Sequence, residues 1–467
     1  MKLYLRILLF AVAVCLPSYP LFARTTTPEQ YGAVGDGMAN DTKAVIAALN
    51  NGDIVVFSRV YKVDYIRVPH GRRLISDGSA AILYYAIDVY DDCSIERITF
   101  DGGWHTRGMQ ILGSNVTIDG CRFINTKGTL EYYGGLTSAI WIGRYQDLDA
   151  KRIKYNGITI KNCFFSKCEP IDSISKISNN KNVARFILSY GCKGLKISTC
   201  TFEGLKGTFD SDAIQLCSYA IKSSCFPFDS YNDSWTSKNT PYLGLYYSNC
   251  KTTIEKCTFL QDKSKSSIKI MSSGVNVIKN RFVLLNTDND NASYSVVRAH
   301  FTKDVIIRDN VFVIDGNASE SIVKLGNCKN VVVEKNGFTS SAKAKRPPVV
   351  FDATYTSGCK FKKNTIKYET IGSLLTLEFN DNLQININTV EAAQVDDGTL
   401  KLFSPLTNHY SYPPRIYTKS RIEYNRFVFR NWNGNSFDIS NKYDFPLLFK
   451  SNKVKRNGVS EKIKYIL

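Results

Sequence analysis

A short pattern of alternating apolar and polar residues recurs along most of the chain. Each copy ends in a turn that carries a cysteine or an asparagine two residues before a phenylalanine or isoleucine. Strict alternation over a few residues, bounded by turns, predicts short β-strands. The copies with cysteine are Asn115–Phe123, Gly157–Phe165, Gly194–Phe202 and Lys251–Phe259. The copies with asparagine contain Asn280, Asn310, Asn336, Asn364 and Asn425.

The spacing of these copies indicates how they are arranged. The shortest intervals between the phenylalanines, as from Phe259 to Phe282 and on to Phe312, are about 23 to 30 residues. Strand-rich repeats of that length stack into a solenoid, in which each coil buries its apolar face against its neighbours. We therefore predict an all-β fold, a right-handed parallel β-helix over residues 53–467, with loop insertions near 128–156 and 217–243.

The cysteines fit this interpretation. Equivalent positions of consecutive coils stack about 4.8 Å apart, so cysteines at one repeat position form a row of small buried side chains. We predict two such rows, continued by asparagines, rather than a disulfide framework or a metal site. The first contains Cys121, Cys163, Cys200 and Cys257, and the second contains Cys192, Cys250 and Cys328.

A glycine-rich segment precedes the repeats. Tyr31–Leu49 contains Gly35-Asp36-Gly37 followed by an amphipathic run. This segment resembles the entry motif of pectate-lyase-like and polygalacturonase-like β-helix proteins, and that resemblance implies a short helix covering the first coil. We predict a cap over residues 24–52, begun by Asn40 or Asp41. Its apolar side chains are Ala44, Val45, Ala48 and Leu49.

The N-terminus has the order of a secretory signal. Lys2 and Arg6 precede the apolar run Ile7–Leu16, and the segment ends in Leu21-Phe22-Ala23. The run is too short to span a bilayer, so we predict a signal peptide over residues 1–23 and a secreted, periplasmic or cell-surface protein without a membrane span. Cys15 leaves a lipid anchor as the less favoured alternative.

The chain is strongly basic. Its 60 lysines and arginines against 42 acidic residues give a net charge of +18, or +16 once Lys2 and Arg6 are removed. A field of that sign attracts polyanions. Because we expect the protein to be exported and its sequence shows no nucleic-acid-binding motif, we predict an acidic polysaccharide as the partner and no nucleic acid.

Two insertions are rich in aromatic residues. Loops that leave a solenoid can form the walls of a groove, and aromatic side chains on them can stack on sugar rings. We predict substrate contacts from Tyr133, Trp141 and Trp235, with packing of the loops on the solenoid as the alternative.

Cations recur at one position of three consecutive coils. Lys269, Arg298 and Lys324 each lie between apolar residues, so alternation predicts that they point away from the core and stack as a basic row, with Gln215 beside them. His300 follows on the same face. Stacked like charges cost energy unless an anion lies over them. We predict Lys269, Arg298, His300 and Lys324 as catalytic residues and Gln215 as a substrate contact, against a merely solvated face.

The same strands are similar to the lysine and arginine strands of the chondroitinase B and alginate lyase group. In that group a lysine directly precedes a Ser-Ser pair, and a histidine follows the arginine at once. Here Met271 precedes Ser272 and Ser273, and Ala299 separates Arg298 from His300. The resemblance implies β-elimination, in which cations neutralise the carboxylate of a uronic acid and a lysine or histidine removes the C5 proton.

Hydrolysis is the competing chemistry. Asp210 and Asp212 are two residues apart, so in a strand their carboxylates lie about 6.6 Å apart, a separation that suits an inverting pair. The same two residues are alternatively calcium ligands.

We therefore predict a polysaccharide lyase for an acidic, uronic-acid-containing polymer, such as chondroitin or hyaluronan. It needs no cofactor, with calcium as the one metal that the aspartates allow. The alternatives are a polygalacturonase-like hydrolase that uses Asp210 and Asp212, and a non-catalytic polysaccharide-binding solenoid.

Overall fold

Three long parallel sheets wind around one apolar core. A computed structural model describes most of the chain. The described ranges are 23–103, 106–128, 137–170, 183–206, 211–222, 245–261, 266–285, 295–316, 321–341, 349–354, 356–371, 374–378, 380, 382–395, 420–431 and 447–461.

Sheet 1 consists of short strands, mostly of three residues, whose central residue points into the core. All of its neighbouring strands are parallel. Its strands are Thr25–Thr26, Ile54–Val56, Arg73–Ile75, Ser94–Glu96, Thr117–Asp119, Thr159–Lys161, Lys196–Ser198, Thr253–Glu255, Asn276–Ile278, Ile306–Arg308, Val332–Glu334, Lys360–Lys362, Gln384–Asn386, Ser420–Glu423 and Leu447–Lys450.

Sheet 2 carries the phenylalanines and also runs the length of the described chain. Its last strand, Val459–Glu461, pairs antiparallel. The other strands are Thr99–Asp101, Arg122–Lys127, Phe164–Glu169, Thr201–Leu205, Thr258–Gln261, Arg281–Leu284, Val311–Ile314, Gly337–Ser340, Thr365–Ile371, Thr389–Val395, Arg426–Asn431 and Lys453–Arg456.

Sheet 3 begins later and carries the predicted basic row. Its strands are Gly108–Ile111, Thr137–Ile142, Ala184–Tyr190, Asp212–Cys217, Ser266–Met271, Val297–His300, Val323–Gly326, Phe351–Thr354 and Leu375–Glu378. Sheets 2 and 3 join at the N-terminal end, where Asp36–Asn40 pairs with Val60–Val68 and the latter with Ala81–Val89. The first part of Ala81–Val89 pairs with sheet 2 and its last part with sheet 3.

Two small pairings lie outside these sheets. Tyr155–Asn156 pairs with Cys192–Lys193, and Ala220–Lys222 pairs antiparallel with Leu245–Tyr247.

Parallel strands of one sheet are connected almost always by right-handed crossovers. The predicted right-handed parallel β-helix is confirmed. Among the described residues, no helix is long and apolar enough to cross a bilayer.

The phenylalanines form an internal row, and so do Cys121, Cys163, Cys200 and Cys257, because the strands that follow these cysteines pair in register. The second predicted cysteine row is wrong, since Cys250 lies three residues before its strand of sheet 1, whereas Cys192 and Cys328 lie four residues before theirs. Successive phenylalanines from Phe100 to Phe338 stack with ring centroids 4.7 to 5.1 Å apart. The cysteines of both predicted rows are buried and free. Burial raises the pKa of the Cys121 thiol to about 12, so that thiol is neutral at physiological pH.

Asparagines continue the first cysteine row. Asn280 Oδ1 accepts the backbone N–H of Cys257 at 2.9 Å, and this contact joins the two types of side chain. From there each amide donates to the Oδ1 atom of the next asparagine at 2.9 to 3.1 Å and to a backbone carbonyl of the preceding coil. The members are Asn280, Asn310, Asn336, Asn364, Asn388, Asn425 and Asn452.

The N-terminal end is covered as predicted. A 3-10 helix, Pro28–Tyr31, leads to the α-helix Thr42–Asn51, whose residues Ala44, Val45, Ala48 and Leu49 are buried. The Asn40 side chain accepts the Thr42 N–H at 3.0 Å, whereas the buried Asp41 carboxylate accepts the N–H groups of Val34 and Gly35. Gly35 has φ +67°, and a Cβ there would lie 2.7 Å from Arg59 Cδ. The glycine turn is therefore structural.

We expect Asn310→Ala to lower the free energy of unfolding by about 3 to 5 kcal/mol, measured by urea denaturation followed by circular dichroism. The substitution removes the Oδ1 atom that accepts both the backbone N–H and the side-chain amide of Asn280, and it removes the amide that donates to Asn336 Oδ1 and to the Val277 carbonyl. Each buried group that loses a partner costs about 1 to 3 kcal/mol.

Asn156→Ala is the matched control. Asn156 is exposed, and its amide makes one long contact of 3.4 Å to Ser114 Oγ. Its loss is expected to change stability by less than about 0.5 kcal/mol. Equal effects of the two substitutions would contradict the structural role of the asparagine row.

Candidate functional site

A row of side chains crosses the outer face of sheet 3. The register pairs Gln215 with Lys269, Lys269 with Arg298 and Arg298 with Lys324. The predicted side-by-side register is therefore confirmed, and adjacent members lie on strands about 4.8 Å apart. We call Lys269, Arg298 and Lys324 the basic row. Leu188 precedes Gln215, and Asp352 follows Lys324.

The three cations of the basic row differ in exposure. Lys269 and Lys324 are partly exposed, whereas Arg298 is only 7% exposed. Arg298 Nη2 lies 3.8 Å from Oδ1 of Asp212, which is fully buried. Asp212 also lies beside the buried Arg185 in the register. The expectation that alternation exposes Arg298 is wrong, because its guanidinium is held against a buried carboxylate.

The burial of Asp212 against Arg298 concerns the predicted hydrolytic pair, Asp210 and Asp212. Asp210 lies outside the described residues, and Asp212 has no exposed surface. A carboxylate in that position balances the charge of Arg298 rather than facing a glycosidic oxygen. No group of three or more histidine, cysteine or acidic side chains with the spacing of a metal site occurs within the described ranges.

His300 lies two residues after Arg298 on the same face and is partly exposed. It pairs with Gly326 on the next strand. A Cβ atom at Gly326 would lie 2.8 Å from His300 Nδ1, so the glycine leaves room for the imidazole. The structure thus brings His300 together with the basic row on one surface.

The residue after His300 has an unusual backbone conformation. Phe301 has φ +50°, in the left-handed region, which costs a bulky side chain roughly 1 to 2 kcal/mol. The equivalent residue of the next coil is Asn327, a type that tolerates this conformation. The Phe301 carbonyl accepts the Tyr247 N–H at 2.7 Å, and the two rings meet edge to face. This contact fixes Tyr247 beside the turn.

A cavity of about 590 Å³ lies next to the basic row. Its floor consists of Leu188, Gln215, Cys217 and Met271, on three consecutive strands of sheet 3. Four tyrosines and Arg185 also line it, and the tyrosines are Tyr145, Tyr190, Tyr219 and Tyr247. We call this cavity the tyrosine pocket. Its size is that of a small-ligand site.

Trp141, which was predicted to contact substrate, is a buried residue whose indole N–H needs a hydrogen-bond acceptor. It lies in the strand Thr137–Ile142 and is 2% exposed, with its indole N–H donated to the Arg107 carbonyl at 2.9 Å. Its ring stacks on Tyr190, behind the tyrosine pocket. The prediction of a loop residue that contacts substrate is therefore wrong for Trp141, which supports a wall from behind. Tyr133 and Trp235 lie outside the described residues.

Sequence reasoning missed three parts of this site. The helix Tyr145–Asp149 lies in the first insertion and places Tyr145 at the rim, 53% exposed. Arg185 and Tyr190 come from the strand Ala184–Tyr190, which contributes no cation to the basic row. Alternation across Ala184–Tyr190 could have identified them once the register with Asp212–Cys217 was known.

Asp212→Asn is expected to lower the free energy of unfolding by about 3 kcal/mol or more. The substitution leaves the buried Arg298 charge without its carboxylate, and breaking a buried pair costs about 3 to 5 kcal/mol. Urea denaturation measures the change.

Asp119→Asn provides the comparison. Asp119 pairs with Lys161 at 3.1 Å on the surface of sheet 1, where both side chains are partly exposed, so its loss is expected to cost no more than about 1 kcal/mol. If Asp212→Asn were as mild as Asp119→Asn, the pairing with Arg298 would carry little energy.

Comparisons with known proteins show the fold alone. No protein-family model matches the chain, and no curated protein matches its sequence. The crystal structure of PfbA, a surface adhesin of Streptococcus pneumoniae, is similar with a TM-score of 0.54 and 15% identity, over 89% of this chain and 94% of that one. A mutant tailspike protein of E. coli bacteriophage HK620, in complex with a pentasaccharide, is similar with a TM-score of 0.52 and 10% identity, over 93% of this chain and 78% of that one. The chain shares with both the architecture of a parallel β-helix.

Proposed function

We propose that this protein is a secreted polysaccharide lyase that cleaves an acidic, uronic-acid-containing polysaccharide by β-elimination. The observation that supports this most is the basic row, three cations adjacent in register on the outer face of sheet 3, directly beside the tyrosine pocket.

The charges of the row favour an anionic partner. Arg298 is held against Asp212 and is only 7% exposed, so a ligand contacts the row mainly through the partly exposed side chains of Lys269 and Lys324. They are separated by two strand spacings, roughly 9.6 Å. A chain that carries carboxylates at intervals can lie along such a row, and the net charge of the protein draws it in.

The chemistry requires two kinds of group. Lys269 and Lys324 neutralise the carboxylate of a bound uronic acid, which stabilises the negative charge that develops when the C5 proton leaves. His300 or one of the lysines removes that proton as the base. The electron pair of the C5–H bond forms a C4–C5 double bond, the bond from C4 to the bridging oxygen breaks, and that oxygen leaves as a hydroxyl group after it takes a proton from the protonated base or from water. Arg298 lies between the two lysines, and its buried positive charge adds to the potential at the substrate carboxylate.

The similar structures support a carbohydrate partner in different ways. The tailspike was solved with a bound pentasaccharide, so this fold can present a saccharide site. The adhesin favours a second candidate function, in which the basic row and the tyrosine pocket bind an acidic polysaccharide without cleaving it.

We expect Lys269→Gln and Lys324→Gln each to lower the rate of elimination by about 10² to 10³, because each removes charge stabilisation formed as the proton leaves. His300→Ala is expected to cost about 10² to 10⁴ if His300 is the base. The absorbance of the unsaturated uronide product measures the rate on a panel of acidic polysaccharides.

Lys367→Gln is the matched control, since Lys367 is exposed on sheet 2, away from sheet 3, and its loss changes the net charge equally. It is expected to leave the rate unchanged. Saturated product ends would indicate hydrolysis instead, and tight binding without turnover on every polymer would indicate the binding function. Equal effects of all three lysines would show that only net charge matters.

Binding is expected to weaken steeply as salt rises. The attraction between the lysines and the polymer acts across solvent and is screened over about 8 Å at physiological ionic strength. Retention on immobilised chondroitin or heparin, measured between 50 mM and 500 mM NaCl, tests this. Retention that does not change with salt, or a preference for neutral glycans, would contradict an acidic partner.

A further inference from the structure

One polar group of the tyrosine pocket is left without a partner. Gln215 is 7% exposed and lies in the pocket floor. No donor among the described residues hydrogen-bonds its Oε1 atom. Within the described ranges, its Nε2 atom donates to two sulfur atoms, Cys217 Sγ at 3.3 Å and Met271 Sδ at 3.8 Å, which are weak acceptors. A buried amide in this state favours a ligand that supplies hydrogen bonds.

The surroundings of that amide are apolar. Leu188, Cys217 and Met271 complete the floor, and they continue into a buried cluster with Trp141 and Tyr190. A hydroxyl group placed there gains a hydrogen bond but leaves the apolar floor uncovered. An acetamido group offers an N–H and a carbonyl to the glutamine and a methyl group to the floor.

We propose that the tyrosine pocket binds a 2-acetamido sugar, with the acetamido group on the floor beside Gln215 and the pyranose ring between the tyrosines. Gln215 is the register neighbour of Lys269, so this sugar is adjacent to the residue over the basic row. The substrate is therefore a polymer that contains both N-acetylhexosamine and uronic acid. The link to the uronic acid rests on the proposed function, whereas the pocket's preference does not.

Binding of monosaccharides to the full chain tests the pocket by itself. The probes are the methyl glycosides of N-acetylglucosamine and N-acetylgalactosamine, compared with those of glucose and glucosamine, and saturation-transfer NMR and titration measure their affinity. At least one acetamido glycoside is expected to bind about tenfold or more tightly than the sugars without the acetamido group. Equal affinities for the acetamido sugars and glucose overturn the proposal.

Gln215→Met keeps the volume of the side chain and removes its hydrogen-bonding groups. It is expected to weaken the binding of acetamido glycosides by about three- to tenfold, the effect of losing a neutral hydrogen bond, and to leave the affinity for the glucose glycoside unchanged. Gln110→Met is the matched control, because Gln110 is a buried glutamine of sheet 3 outside the pocket. If both variants behave like the parent protein, Gln215 does not contact the sugar and the proposal fails.

Tyr145→Ala provides a variant that is expected to fold, since Tyr145 is 53% exposed. It removes one ring from the rim and is expected to weaken the acetamido glycosides at least threefold; unchanged affinity argues against the pocket as the site.

Two further outcomes separate this inference from the proposed function. If the protein eliminates polyuronates and hyaluronan at equal rates and shows no preference for acetamido sugars in binding, the proposed lyase function stands and the acetamido site is contradicted. Acetamido binding without elimination of any polymer leaves the inference and removes the lyase.

Discussion

The stacking of equivalent residues at the strand spacing is the constraint on which the structure depends. In a parallel β-helix each side chain lies about 4.8 Å from the same position of the next coil, so a residue must be compatible with the residue stacked on it. Inside the coil, phenylalanines satisfy this by ring stacking and asparagines by amide hydrogen bonds. The repeats are therefore a consequence of packing rather than of function.

The same constraint has the opposite effect on the outer face of sheet 3. Lys269, Arg298 and Lys324 are stacked by the backbone although like charges repel one another. The buried Asp212 lies against Arg298, and Asp352 lies beside Lys324 in the register, so carboxylates of the protein itself accompany the row.

Alternation and repeat length were sufficient to predict the coil and the register of the basic row, because these depend on local pattern, and the resemblance of Tyr31–Leu49 to a β-helix entry motif implied the cap. They could not predict the burial of Arg298, whose partner Asp212 lies two strands away in the sheet and far earlier in the chain. Nor could they show that Trp141 is covered, since that depends on how Tyr190 and an inserted helix pack over sheet 3. Contacts between coils that carry different insertions are set by the fold as a whole.

The asparagine row also gives the rod a direction. From Asn280 to Asn425 every side-chain amide donates to the asparagine of the next coil, and every Oδ1 atom accepts from the preceding coil, so their dipoles are aligned rather than alternating. Aligned amides polarise one another, and each bond strengthens the next. The two ends of this half of the solenoid are therefore electrically unlike, and a coil added at one end meets acceptors whereas a coil added at the other meets donors.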